Sequence, residues 1–306
     1  MNTLLGDYLS RIDLREPQQF QNLVIVPIFT NANPGGEYLT LTEALDQRLA
    51  TVTEVSDSGS VPDLKVSNSS DLRMLLVDGE ELIGAKQNRT LNTSLLLAGK
   101  SETVVPVSCT EAGRWAYKTA GFADAGYISP HNLRKTKSSS VAASLNASTG
   151  HKSDQHAVWS KVAHYCSSSG LHSPTSAMHD TLAAKAKELD EYLKHLKPLP
   201  DQKGLVALIN GEVAGADIVS SARAYQVLHS KFIRSYALEA LMEQKQVLIQ
   251  NARDKTDIFF KSCLATAERI HPVVGCGQDH RFEGNGVAGA ALVADSEIIH
   301  LNLFQN

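Results

Sequence analysis

The residues best suited to chemistry in this chain fall in three short polar runs. The first joins Glu80 and Glu81 to Lys86, Gln87, Asn88 and Arg89, directly after an apolar strand. The second is Ser108-Cys109-Thr110-Glu111 followed by Arg114 and Trp115, and the third runs from Gly275 to Glu283 with Asp279 and Arg281 inside it. Carboxylates can move protons, an arginine can fork a phosphate or carboxylate, and a tryptophan can stack on a base or a guanidinium. On that ground Glu80, Glu81, Glu111 and Asp279 are the candidate catalytic residues. Lys86, Gln87, Asn88, Arg89, Arg114, Trp115 and Arg281 are the candidate ligand-binding residues. The two-residue strand period puts Glu80, Lys86 and Asn88 on one face and Glu81, Gln87 and Arg89 on the other, barring a bulge at Gly84. Burying such groups unpaired would cost a few kcal/mol each, so they must be paired, solvated or bound to a ligand. Each run also has a structural reading: a salt-bridged sheet edge, an ion pair beside a core tryptophan, or a glycine turn with an ion pair. The residues alone leave both open.

Several familiar signatures fail. Gly79 to Gln87 is a near miss to a phosphate loop, but Ala85 is an insertion and Gln87 replaces the hydroxyl residue. Gly275-Cys276-Gly277 has His280 where a dinucleotide fingerprint needs its third glycine. The histidines show no ligand spacing and read as surface or capping residues, so no metal ligand is assigned. A metal-dependent hydrolase using the four carboxylates stays as a lesser alternative. Cys109 lacks a placed base and is a weak candidate nucleophile.

The elements that must position these runs are strands at first and helices later. Leu23 to Phe29 reads as a strand at a sheet edge or bulge, because it contains Pro27. Thr42 to Ala50 reads as a short threonine-capped helix. Leu72–Val77 and Glu80–Ala85 predict a hairpin across Asp78-Gly79, and a second hairpin joins Thr93–Leu97 to Thr103–Val107. Residues 129–153, rich in Ser and Lys and containing Arg134, Lys135, Lys137 and Lys152, read as a surface loop that could lie over an anion. Helices are expected over Asp154–Cys166, from Ser173-Pro174 to Leu196, from Ala222 towards Gln250, and over Asp257–Ile270. Hairpins are expected around Asn210-Gly211 and Asp295-Ser296.

The chain has 306 residues, 29 basic against 33 acidic, for a net charge of −4. That length can bury a large core without disulfides or metals, and the mild acidity argues against a nucleic-acid partner. No apolar run approaches the roughly twenty residues of a membrane span. The start lacks the basic and apolar regions of a signal peptide, and the four cysteines form no framework, so the expectation is a cytoplasmic chain with free thiols.

Asp78-Gly-Glu-Glu-Leu-Ile-Gly-Ala-Lys-Gln-Asn-Arg-Thr-Leu-Asn-Thr-Ser94, with Val105-Pro-Val-Ser-Cys-Thr-Glu-Ala-Gly-Arg-Trp115, resembles the ARG and rhodanese-phosphatase-superfamily-associated protein domain family. The resemblance continues through Arg134, Asp154-Gln155, Trp159, Gly211, Tyr236–Ala240 and the closing Gly286 to Phe304. Thr110, Ala112 and the Ser138–Ser148 stretch depart from it. It covers nearly the whole chain and implies one family unit over 1–306, with a soft division into a strand-rich lobe, 1–128, and a helix-rich lobe, 129–306. The expected class is α+β, an antiparallel strand-rich amino half packed with a helix-rich carboxyl half in a single compact unit. By association with ADP-ribosylglycohydrolases and phosphatase-like proteins, the resemblance implies binding or processing of an ADP-ribose- or NAD-related nucleotide. The partner would then be a small anionic ligand; no cofactor is specified. A non-catalytic interaction module is the alternative.

Overall fold

The computed structural model describes residues 3–243, 245 and 251–305. The chain is an α+β protein whose sheets are antiparallel but for one parallel strand pair, Tyr38–Thr40 with Arg73–Leu75. It forms two compact units: Met1–Gly36, Lys187–Pro272 and Gly277–Asn306 make the first, and Glu37–Ala186 with Val273–Cys276 make the second. The second is thus an insertion in the first, and its boundaries do not fall near residue 129.

The chain opens with α1 (Thr3–Leu9), β1 (Ile12–Leu14), β2 (Gln18–Phe20) and β3 (Leu23–Thr30). The inserted unit holds β4 (Tyr38–Thr40), α2 (Leu41–Asp46), β5 (Ala50–Glu54), β6 (Asp63–Asn68), β7 (Arg73–Leu76), β8 (Glu80–Gly84) and β9 (Arg89–Leu91). It continues with β10 (Leu95–Leu97), β11 (Ser101–Cys109), β12 (Phe122–Ile128), α3 (His131–Asn146), α4 (Gln155–Ser168) and α5 (Met178–Ala184). The first unit resumes with α6 (Ala186–His195), β13 (Gly204–Ile209), β14 (Glu212–Val219), α7 (Ala222–Met242) and α8 (Ala252–Leu264). It ends with β15 (Ala267–Pro272), β16 (Gln278–Gly284), β17 (Val287–Ala294) and β18 (Glu297–Gln305).

The first unit is built on a nine-stranded sheet, β1-β3-β13-β14-β18-β17-β16-β15, with β2 also on β3. Pro27 sits inside β3, yet costs no ladder bond. Its carbonyl accepts from Arg15 N, so its missing N–H faces the gap between β1, which pairs with Ile28–Thr30, and β2, which pairs with Leu23–Ile25. The hairpins at Asn210-Gly211 and Asp295-Ser296 form as expected, with Ile209 opposite Glu212 and Ala294 opposite Glu297.

The second unit has a three-stranded sheet, β10-β7-β4, and a six-stranded sheet, β12-β8-β9-β11-β6-β5. Leu39, Met74, Leu76, Leu95 and Leu97 of the first meet Val52, Leu64, Val66, Leu82, Leu91, Val105 and Val107 of the second in one core, with Leu41 and Ala44 of α2. Thr40 caps α2 by a capping box with Glu43, two residues earlier than the sequence suggested. Since Leu82, Leu91 and Val107 face this core, their neighbours Glu81, Thr90 and Ser108 face the opposite side of the sheet. There α4 packs against β11 and α3.

Four expectations are corrected. Neither early hairpin forms: β7 pairs with β4 and β10, whereas β8 pairs with β9 and β12. Asp78-Gly79 does make a tight turn, with Glu80 N donating to Val77 O and Gly79 at φ 86, but it is a corner between two sheets. Turn chemistry fixes a reversal and leaves strand partners to the core. Residues 131–146 are helix, not surface loop, and Arg134 and Lys137 are fully buried in it. Pro174 opens no helix; Ser173 Oγ instead accepts from Ala177 N, and the expected single helix is two, α5 and α6. Helix α8 ends at Leu264 and β15 takes over, while the continuation of α7 to Gln250 lies outside the described residues.

Candidate functional site

The chain reverses sharply at Gly84–Asn88, which makes β8 and β9 antiparallel neighbours. Glu81 therefore stands opposite Thr90 and Leu82 opposite Arg89. That reversal overturns the expectation that Glu81 and Arg89 share a face. The polar residues of the second unit divide between the two faces of the six-stranded sheet and its end.

On the outer face Glu81 is buried, with Oε1 accepting from Thr110 Oγ1 at 2.9 Å. Its Oε2 faces His179 Nδ1 at 3.9 Å, and neither atom has a hydrogen-bond partner among the described residues. Met178 N bonds to Thr110 O, and Glu111 bridges to Ala177, so backbone pairing brings α5 and His179 to this spot. Burial, with the nearby charges of Glu111 and Asp180, pushes the Glu81 carboxyl up to about 8 despite the Thr110 bond. Burial also lowers His179, partly offset by Asp180. His179 is part-exposed, edge-on to Tyr127 with ring centroids 6.0 Å apart. The sequence reading missed it, and no sequence signal set this histidine apart, since His280 likewise adjoins an aspartate, Asp279.

At the core end of the sheet, Arg89 is fully buried with Cys109 as its strand partner. Its Nη1 donates to Gln87 Oε1 at 3.0 Å, and its Nη2 is 4.0 Å from Glu54 Oε1. Nε and Nη2 of Arg89 and Oε2 of Glu54 lack hydrogen-bond partners among the described residues. Desolvation lowers the Arg89 guanidinium. The exposed Trp115 ring lies over it at 5.5 Å, and Lys86 Nζ sits 5.6 Å from that ring and 5.0 Å from the exposed Tyr117 ring. Burial pushes the Cys109 thiol up to about 11, which leaves it protonated and a poor nucleophile at neutral pH.

Between the two lies a brace. Arg114 Nε and Nη2 fork Glu111 at 2.9 and 2.7 Å. Its Nη1 donates to Ala85 O and Ala116 O, and Nη2 also reaches Gly84 O and Asn88 Oδ1. Every guanidinium N–H thus has a protein acceptor. Glu111 further accepts from Asn88 N and Thr175 Oγ1, and Gln87 Nε2 donates to its backbone oxygen. Burial raises the Glu111 carboxyl, but these hydrogen bonds outweigh it and hold the group below its ordinary range.

Glu80 turns away from this network, and its Oε2 accepts from Val77 N at 2.8 Å in the Asp78-Gly79 corner. Asp78 there faces Arg134 Nε at 3.5 Å and Lys137 Nζ at 3.3 Å. Asp279 and Arg281 belong to the first unit, where they pair with each other at 2.6 Å on β16. Among the described residues, no three His, Cys, Asp or Glu side chains gather as a metal site. No described helix is long and apolar enough to cross a membrane.

The architecture defines a two-unit α+β protein whose inserted unit carries buried acid and base groups on both faces of its six-stranded sheet. The chain belongs to the family described as ARG and Rhodanese-Phosphatase-superfamily-associated Protein domain, whose pattern matches residues 11–304 and so spans both units. No curated protein and no solved structure matches it.

Proposed function

We propose that the chain binds a phosphate-bearing nucleotide of the ADP-ribose or NAD kind at the core end of the six-stranded sheet. Lys86 meets the phosphate, Trp115 stacks the base, and Arg89 supplies positive field from beneath the ring. The observation that carries this reading is the exposed corner of Trp115 and Tyr117 flanking Lys86, above an arginine with two donors that lack a hydrogen-bond partner among the described residues. Aromatic faces and cations together suit a base joined to phosphate. The family's association with ADP-ribosylglycohydrolase- and phosphatase-type proteins points the same way. In this reading Glu111, Gln87, Asn88 and Arg114 position the Lys86–Arg89 segment, because the Arg114 donors all face the chain itself. Asp279 and Arg281 lie outside the proposed site.

Isothermal titration calorimetry of the full chain with ADP-ribose, AMP and inorganic phosphate tests it. The expected order is ADP-ribose and AMP well above phosphate, since only the first two carry a base. Absence of binding by all three sinks the reading and leaves a non-catalytic interaction module, for which the completeness of the Glu111–Arg114 brace is the supporting observation.

A further inference from the structure

Glu81 and His179 present each other with two atoms that no other described residue engages by a hydrogen bond, 3.9 Å apart, one side chain sealed from water and the other reaching it. We propose that they form a proton-relay pair that makes the outer face of the six-stranded sheet a hydrolytic site for phosphate esters. His179 is the catalytic residue and Glu81 the positioning residue behind it.

The arrangement follows from partners. Thr110 holds Glu81 Oε1, which leaves Oε2 for the imidazole. Backbone pairing of residues 110–113 with 175–178 fixes the entry of α5 and so places His179, its second residue, beside Thr110. The charged and titratable groups facing the pair are Glu111, Asp180, Lys118 and Tyr127. Asp180 is engaged by Ser173 Oγ at 2.6 Å, and Glu111 by Arg114 and Thr175. Lys118 is an exposed cation whose charge acts on His179, which favours an anionic substrate. Near neutral pH Glu81 keeps its proton and His179 is an uncharged imidazole; with Nδ1 facing the carboxyl, the relay requires the imidazole proton on Nε2.

The chemistry balances. Water oxygen bonds phosphorus as the ester P–O bond breaks. The leaving oxygen takes the Nε2 proton while Nδ1 takes the Glu81 proton, and the proton of the attacking water goes to solvent. Uptake of one solvent proton at Nε2, with return of the Nδ1 proton to Glu81, restores the pair. The active form exists above the His179 titration and below that of Glu81, so turnover falls as pH rises through about 8.

The substrate class rests on the proposed function, but the pair does not, and two measurements separate them. In ligand-free protein, nitrogen NMR of the histidines reads the pair directly. His179 is expected as the Nε2–H tautomer at pH 7, and Glu81→Gln is expected to shift its titration; an unchanged titration overturns the pairing. The second measurement is hydrolysis of AMP, whose alkoxide leaving group needs a proton, against p-nitrophenyl phosphate, whose leaving group does not. His179→Asn should lower AMP turnover by about 100-fold or more and p-nitrophenyl phosphate turnover far less. Glu81→Gln, which has no acidic proton to pass on, should lower AMP turnover across the pH range and abolish the fall above pH 8. Equal loss on both substrates, or no turnover of AMP by the unmodified chain, overturns the proposal.

Discussion

Asp78 and Glu81 are buried acids three residues apart in one family motif, and the structure treats them in opposite ways. Asp78 faces two fully buried cations, Arg134 and Lys137, at a corner where Gly79 leaves no room for a Cβ: one placed there would sit 2.9 Å from Arg134 Cδ. Glu81 has a threonine on one oxygen and an uncharged imidazole 3.9 Å from the other. The first acid faces two buried cations and is closed off from solvent, as a structural cluster requires. The second is held protonated by burial and touches a side chain that reaches water, as proton transfer requires. Burial of charge alone does not mark a site; the state of its partners does.

The largest effect expected from breaking that contrast is Asp78→Ala. It would leave Arg134 and Lys137 buried without their carboxylate, and should cost about 3–5 kcal/mol in urea unfolding. A loss under about 1 kcal/mol would mean the cluster is less coupled than its geometry states.

Glu81→Gln comes next and has the opposite sign at high pH. The folded-state pKa lies above the unfolded value, near 8 against 4.5. Stability linked to Glu81 is therefore fully present below pH 4.5 and is lost as pH rises through about 8. The variant removes that loss. It should match the unmodified chain near pH 5 and exceed it near pH 9 by up to a few kcal/mol. A stability difference that stays flat from pH 5 to 9 would show that Glu81 ionises normally.

The contrast also explains what could be read from the sequence. The polar types in the two motif segments were legible, since such residues beside apolar strands must find partners, and Gln87, Asn88, Arg89, Glu111 and Arg114 do form one network. The α+β class and the two later hairpins were legible because turn residues sat between strands that pair locally. The division between sheet faces was not. It depends on the reversal at Gly84–Asn88, and a strand period carried across a turn assigns the wrong face. Helix α3 was hidden because its lysine and arginine side chains look solvated until a buried carboxylate accounts for them. His179 was hidden because its partner is almost a hundred residues away.

Arg114→Ala has a middling expected effect. The side chain is 15% exposed and its loss leaves Glu111 without its fork, so stability should fall by about 1.5–3 kcal/mol. Under the proposed function nucleotide affinity should fall too, because the Lys86–Arg89 segment loses its brace. A stable variant that binds ADP-ribose as before would remove the brace from the site's account.

Trp115→Ala should have the smallest effect on stability and the most selective effect on function. The ring is 47% exposed, so its truncation removes little buried apolar surface. What it takes away is mainly its contact with Lys86 and Arg89, worth about 0.5–1 kcal/mol for an exposed cation–aromatic pair. Part of that returns, because water then reaches the Arg89 guanidinium and relieves its desolvation. Chemical denaturation should therefore place the variant within about 1 kcal/mol of the unmodified chain. Affinity for AMP or ADP-ribose should fall by about 1–3 kcal/mol, the range for a base stacked on an aromatic ring, while inorganic phosphate, which has no base, should bind as before. The Glu81–His179 pair lies on the other face of the sheet, so the His179 titration should not move. A variant that loses several kcal/mol of stability but binds nucleotide normally would make Trp115 a core residue and leave the corner without its stacking face.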